Sequence, residues 1–85
     1  MANELMIDSD DNITAQLDAS SKNGENLARF FKYAHLPAPL RDVSRVFASL
    51  AVFVLQNVPR NPERTVALRK LVEAKDCAVR AVLPE

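Results

Sequence analysis

Leu40, Val43, Phe47, Leu50 and Val54 follow one another at steps of three, four, three and four, which is one face of an α-helix. Val46, Phe53 and Leu55 add a second apolar strip, so the run from Leu50 to Leu55 is apolar on every side. A helix that is apolar all round is normally buried all round. One partner helix from the same chain cannot cover it, so the pattern predicts self-association. This first long helix runs from about Pro39 to Asn57 and ends in a short turn, Asn57 to Pro62, that holds two prolines. A second long helix is predicted from Pro62 to about Leu83. Its broad apolar surface carries Leu68, Leu71, Val72, Cys77, Val79 and Val82, interleaved with alanines that permit close helix approach. Arg69 with Glu73, and Asp76 with Arg80, are i,i+4 pairs on its outer face.

Two long helices joined by a short turn make an antiparallel αα-hairpin. Ahead of it, Glu25 to Tyr33 predicts a short N-terminal helix that Pro37 and Pro39 break. No stretch alternates with the period of a strand, so the fold class is all-α, a helical hairpin with a short N-terminal helix assembled as a homo-oligomer. Residues 1–24 are polar and hold few large apolar side chains. They read as an acidic N-terminal tail, mobile or loosely docked, with at most a helical turn over Ile13 to Ala19, and residues 25–85 read as the helical hairpin domain.

Composition narrows the picture. A chain of 85 residues makes one domain with a thin core, which needs staples or partners. One cysteine permits no disulfide within the chain and suits a reducing cytoplasm. One cysteine and one histidine argue against a metal site, and a single glycine leaves no phosphate-binding glycine loop. No run of about 18 apolar residues spans a membrane, and the polar, acidic start argues against a signal peptide. The formal net charge of zero hides an asymmetry: residues 1–25 sum to −5 and residues 26–85 to +5. A basic module suggests an anionic partner, or else the tail simply neutralises its own domain.

The candidate chemistry lies at helix starts. Asn61-Pro62-Glu63 suits a helix N-terminus, but Arg64 then places a cation where free N–H groups and the positive dipole end disfavour it. Either its side chain reaches away or something negative belongs there. Arg41 and Arg45 repeat the arrangement at the start of the first long helix, as a solvated basic face or an anion site. That helix is about 28 Å long at 1.5 Å per residue. Arg45 and Arg64 therefore stand at opposite ends of the hairpin, and for them to share one small ligand one must come from another protomer. Tyr33 and Phe31 offer faces on which a base could stack, or they pack on the hairpin. His35 has no nucleophile or carboxylate at a diagnostic spacing, and Cys77 reads as an inert core thiol. No enzyme signature emerges, and neither a cofactor nor a metal is expected.

The pattern FxYxHLPxxLxxVSxxF, from Phe31 to Phe47, followed by NPERTVALRKLVEAKDCAVRA, from Asn61 to Ala81, resembles small bacteriophage proteins with the hairpin domain of anti-CBASS and Thoeris anti-defence sponges. The similarity covers Phe31 to Ala81 and leaves the acidic segment outside. The resemblance implies a protein without catalysis, a homo-oligomer that is typically a hexamer, acting in the cytoplasm of the infected bacterial host. It would sequester cyclic di- or trinucleotide second messengers in pockets between protomers, an aromatic ring stacking on a base and basic residues holding phosphates. Residue by residue, Tyr33 resembles the stacking tyrosine and Arg64 the arginine at the start of the second helix. Arg45 resembles the basic residue of the first helix, where the family has a lysine and a longer spacing from the tyrosine. Thr65 and Arg69 are weaker additions beside Arg64. Two alternatives stand: a helical protein–protein interaction module such as a phage regulator, and a small nucleic-acid binder using the +5 module. DNA binding is not expected, because no helix has an uninterrupted basic face.

Overall fold

Polar residues open the first helix. In the computed structural model, which describes residues 9–83, Ser9 caps α1 (Asp10–Lys22) by accepting the N–H of Asn12 at 3.2 Å. Asp10 and Asp11 stand in its first turn and Lys22 in its last, so the side-chain charges complement the helix dipole at both ends. The chain then reverses at Gly24, whose φ of +93° favours a residue without a Cβ. A short 3₁₀ helix follows (Asn26–Phe31). α2 (Ala38–Asn57) begins after Pro37 with Pro39 in its first turn, and α3 (Pro62–Ala81) begins after Asn61, whose side chain accepts the N–H of Arg64 at 2.9 Å. No strand occurs among the described residues, and the fold is all-helical.

α2 packs most extensively on α3, to which four residues join it, and α1 packs on the 3₁₀ helix and α2. The 3₁₀ helix meets all three α-helices. The core lies where these elements converge: Ile13 and Leu17 from α1, Ala28 and Phe31 from the 3₁₀ helix, Tyr33, then Ala48, Ala51 and Val52 from α2, and Leu68 from α3. The buried side chains of α2 (Ser44, Ala48, Ala51, Val52) are small, which lets its neighbours approach closely. Ser44 Oγ is buried without a hydrogen-bond partner among the described residues, so close packing costs one unsatisfied hydroxyl there.

Four sequence expectations change. Residues Asp10–Lys22, expected as part of a loosely docked tail, form a helix of 13 residues, and Ile13 and Leu17 are fully buried in the core. Residues 1–8 of that segment, with Glu4 and Asp8, lie outside the described residues. The short helix before Pro37 is 3₁₀ and stops at Phe31, leaving Tyr33 beyond it. Cys77 is exposed, not a core thiol, because it falls on the solvent side of α3. On that side Glu73 pairs with Lys70 at 3.6 Å rather than with Arg69, and Asp76 with Lys75 at 2.9 Å rather than with Arg80. Among the described residues α2 is covered on one face only: Phe53 is 60 %, Leu50 46 % and Val46 41 % exposed.

Candidate functional site

The cation at the start of α3 has a negative partner in its own chain. Arg64 folds back from the first turn, and its Nη2 donates to Glu25 Oε1 at 2.6 Å. Its Nη1 donates to the carbonyls of Val58 at 3.0 Å and Leu55 at 3.3 Å, at the C-terminal end of α2, where carbonyl groups lack helical partners. The two side chains of the ion pair are only 9 % and 10 % exposed. One guanidinium thus ties together the turn after α1, the end of α2 and the start of α3. In this conformation it presents little surface to a ligand.

Tyr33 and Arg45 converge on a second carboxylate. The Tyr33 hydroxyl and Arg45 Nε both donate to Asp10 Oδ1, each at 2.6 Å. Tyr33 is only 3 % exposed and belongs to the core, so its ring faces protein and not a stacking base. Burial, and then the hydrogen bond to the Asp10 carboxylate, push the Tyr33 hydroxyl up to about 12. The same hydrogen bond, reinforced by Arg45, holds Asp10 below the usual carboxylate range, and Asp10 raises Arg45 in turn. Tyr33 is the only tyrosine in the chain, so tyrosinate absorbance reads this residue alone. Its midpoint is expected near 12, not 10.0. The folded value lies above the unfolded one, so the associated stability is complete below pH 10 and is lost as pH rises from 10.0 towards about 12. Asp10→Asn is expected to move the midpoint part of the way back; a midpoint at the ordinary value in the wild type would mean that the hydroxyl is not buried against Asp10.

The two clusters stand at opposite ends of α1: Asp10 begins it, and Glu25 follows its C-terminal turn. Asp10 and Glu25 thus hold Arg45 and Arg64 at opposite ends of α1, a helix of 13 residues and roughly 20 Å at 1.5 Å per residue.

Thr65 and Arg69 lie elsewhere than Tyr33 and Arg45. They line an open cavity of about 320 Å³ between the turn after α1 and the start of α3, with Gly24, Glu25, Asn26, Leu27 and Arg60 as the remaining wall. Thr65 Oγ1 is within 3.4 Å of the Asn61 carbonyl, and Arg69 stands one helical turn further on. Arg60 donates to the Asn23 carbonyl at 3.0 Å and is otherwise exposed. Arg69 has no hydrogen bond or ion pair among the described residues. The one acid among the described lining residues, Glu25, is engaged by Arg64. The wall therefore offers two guanidinium groups and a hydroxyl, a set suited to an oxyanion. A substitution at Gly24 would crowd it, since an added Cβ would stand 3.2 Å from Arg60 Nη2.

No family model, curated protein or solved structure matches this chain.

Among the five sequence-predicted positions, the structure brings Tyr33 to Arg45 and Thr65 to Arg69, and it commits Arg64 to Glu25. Sequence reasoning missed Arg60 and Asn26. A signal for Arg60 existed: it is a cation held between Pro59 and Pro62, in a turn that delivers the chain to the start of α3. Nothing in the sequence marked Asn26. His35 is exposed in the turn before α2, and no cluster of three metal-ligating side chains occurs among the described residues.

Proposed function

We propose that this protein binds a cyclic di- or trinucleotide second messenger and holds it without cleaving it, as a homo-oligomer of helical hairpins in the cytoplasm of a phage-infected bacterium. The observation that carries the reading is the cavity beside Arg60, Thr65 and Arg69, where two cations and a hydroxyl line one wall and Arg69 has no hydrogen bond or ion pair among the described residues. Its volume of about 320 Å³ lies at the low end of ligand cavities, roughly 300–1,000 Å³. A space of that size suits one phosphate with part of a nucleotide. The rest of a cyclic dinucleotide would need a second wall, which another protomer supplies in an assembly of hexameric kind. In this reading Thr65 and Arg69 make the phosphate contacts, in place of the Arg45 and Arg64 that the resemblance implies. Arg64 holds the wall from behind through Glu25, and Tyr33 and Arg45 hold α1 in place. The exposed Phe53 and Leu50 keep a second reading in view, a helical module that binds a foreign protein.

Native mass spectrometry of the pure protein against cyclic di- and trinucleotides and cyclic ADP-ribose isomers tests the proposal. Whole ligands should be retained in a fixed ratio to protomers and released with unchanged mass. Arg69→Ala should weaken retention by roughly 10-fold or more, the scale of one lost charge-assisted hydrogen bond. Equal retention by Arg69→Ala, or none by the wild type, would sink the site.

A further inference from the structure

We infer that the outward face of α2 pairs with the same face of a second copy of this chain, antiparallel about a two-fold axis. The inference rests on the self-association in the proposed function and on nothing about its ligand.

The face is a seam. Val43, Val46, Leu50 and Phe53 are spaced three, four and three residues apart, the repeat of positions that mesh when two helices pack side by side. At 3.6 residues per turn, Val46, Leu50 and Phe53 point away from Ser44, Ala48 and Ala51, which face the core. Among the described residues none covers them: their exposures are 41 %, 46 % and 60 %. Val54 and Phe47, partly buried against the core, continue the apolar surface from the seam towards the inside of the molecule.

Charge argues for a copy of the same chain as the occupant. From Val46 to Pro59 there is no charged residue, so the seam has no group to select an oppositely charged foreign surface. An uncharged heptad-spaced stripe is met best by another such stripe, and the centres of interfaces are depleted in charge. A chain of zero formal net charge does not repel its copy. The ends of the seam set the direction. Asp42 lies beside its start and has no ion pair among the described residues, and Arg60 is exposed just past its end. Parallel pairing would set Asp42 against Asp42. Antiparallel pairing centred near Leu50 brings Asp42 of each copy to the level of the other copy's Arg60 turn. Each contact then occurs twice, as a two-fold interface requires.

The test weighs the ligand-free full-length protein by sedimentation equilibrium over a wide concentration range, beside Phe53→Glu and Leu50→Lys. Both substitutions fall on exposed positions, so helical circular dichroism should stay at the wild-type level. The wild type is expected to show a mass that is an even multiple of the protomer, and both variants a mass at most half as large. In a Cys77→Ser background, a mixture of Val46→Cys and Phe53→Cys chains should form the mixed disulfide in preference to either symmetric one. A wild type that stays monomeric at every concentration overturns the inference, including the case where it then takes up a foreign helix through Phe53. An assembly whose mass neither variant reduces also overturns it, while leaving the homo-oligomer of the proposed function standing. An assembly that both variants split, but that retains no nucleotide, upholds this interface and removes the ligand.

Discussion

Arg64→Ala is expected to destabilise the fold by about 3–5 kcal/mol, the cost of removing one partner from a buried ion pair. The substitution strands Glu25, which is 90 % buried and has Arg64 as its ion-pair partner, and it leaves the Val58 and Leu55 carbonyls without their donor. A chain of 85 residues has a total stability on the order of 4–13 kcal/mol, so the loss is a large share of it. Urea denaturation followed by circular dichroism should show the midpoint fall by about 1–5 M, given slopes of about 1–3 kcal/mol/M. Glu25→Gln should cost less than Arg64→Ala, because the amide oxygen still accepts a hydrogen bond from the guanidinium. Replacing both together by apolar residues of similar volume should recover part of the loss, since neither charge is then buried alone. The family resemblance points the other way, to an Arg64 that holds phosphate and is dispensable for folding. An Arg64→Ala chain that unfolds at the wild-type midpoint but no longer binds nucleotide would refute the structural role and restore the ligand role.

The tension over Arg64 shows where sequence reasoning reaches its limit. The sequence states the problem correctly: a cation in the first turn of α3 calls for an anion. It does not say which anion, because Glu25 lies 39 residues away and meets Arg64 only after α1 and the 3₁₀ helix have docked. The long helices are legible because their signals are local. The three-four stepping from Leu40 to Val54 fixes α2, and Asn61 with Pro62 starts α3 at the expected residue. Which face of α2 stays uncovered is not local, since it depends on how much of the helix α1 and α3 reach. Cys77 fails for a similar reason. α3 mixes alanines with polar residues all the way round, so its apolar pattern does not single out one buried face. The cavity is half legible. Thr65 and Arg69 follow from closeness to the start of α3, whereas the turn at Gly24 that forms the opposite wall comes from the segment taken for a tail.

That segment gives the second large effect. Leu17→Ala is expected to cost about 2–5 kcal/mol, the range for removing a fully buried leucine side chain from a packed core. Leu17 has no exposed surface and lies in the same cluster as Phe31 and Val52. The signal in the sequence was thin: only Ile13 and Leu17 are large apolar residues between Ser9 and Gly24, one i,i+4 pair on an otherwise polar stretch. Such a pair cannot hold a helix of 13 residues in isolation, because short helices are marginal in water and draw their stability from packing. Here the packing is with the 3₁₀ helix and α2, so the helix and its docking form together. A surface control such as Leu83→Ala, at a 46 % exposed position, should change stability by no more than about 0.5 kcal/mol. If Leu17→Ala behaves like that control in urea denaturation, α1 is not part of the cooperative unit. The floor of the Arg60–Arg69 cavity, built by the turn that follows α1, would then not be fixed by the fold. If it behaves as expected, the acidic segment is what shapes the cavity: its helix positions Gly24 and the adjoining Glu25, which Arg64 engages, so that this acid does not neutralise Arg69.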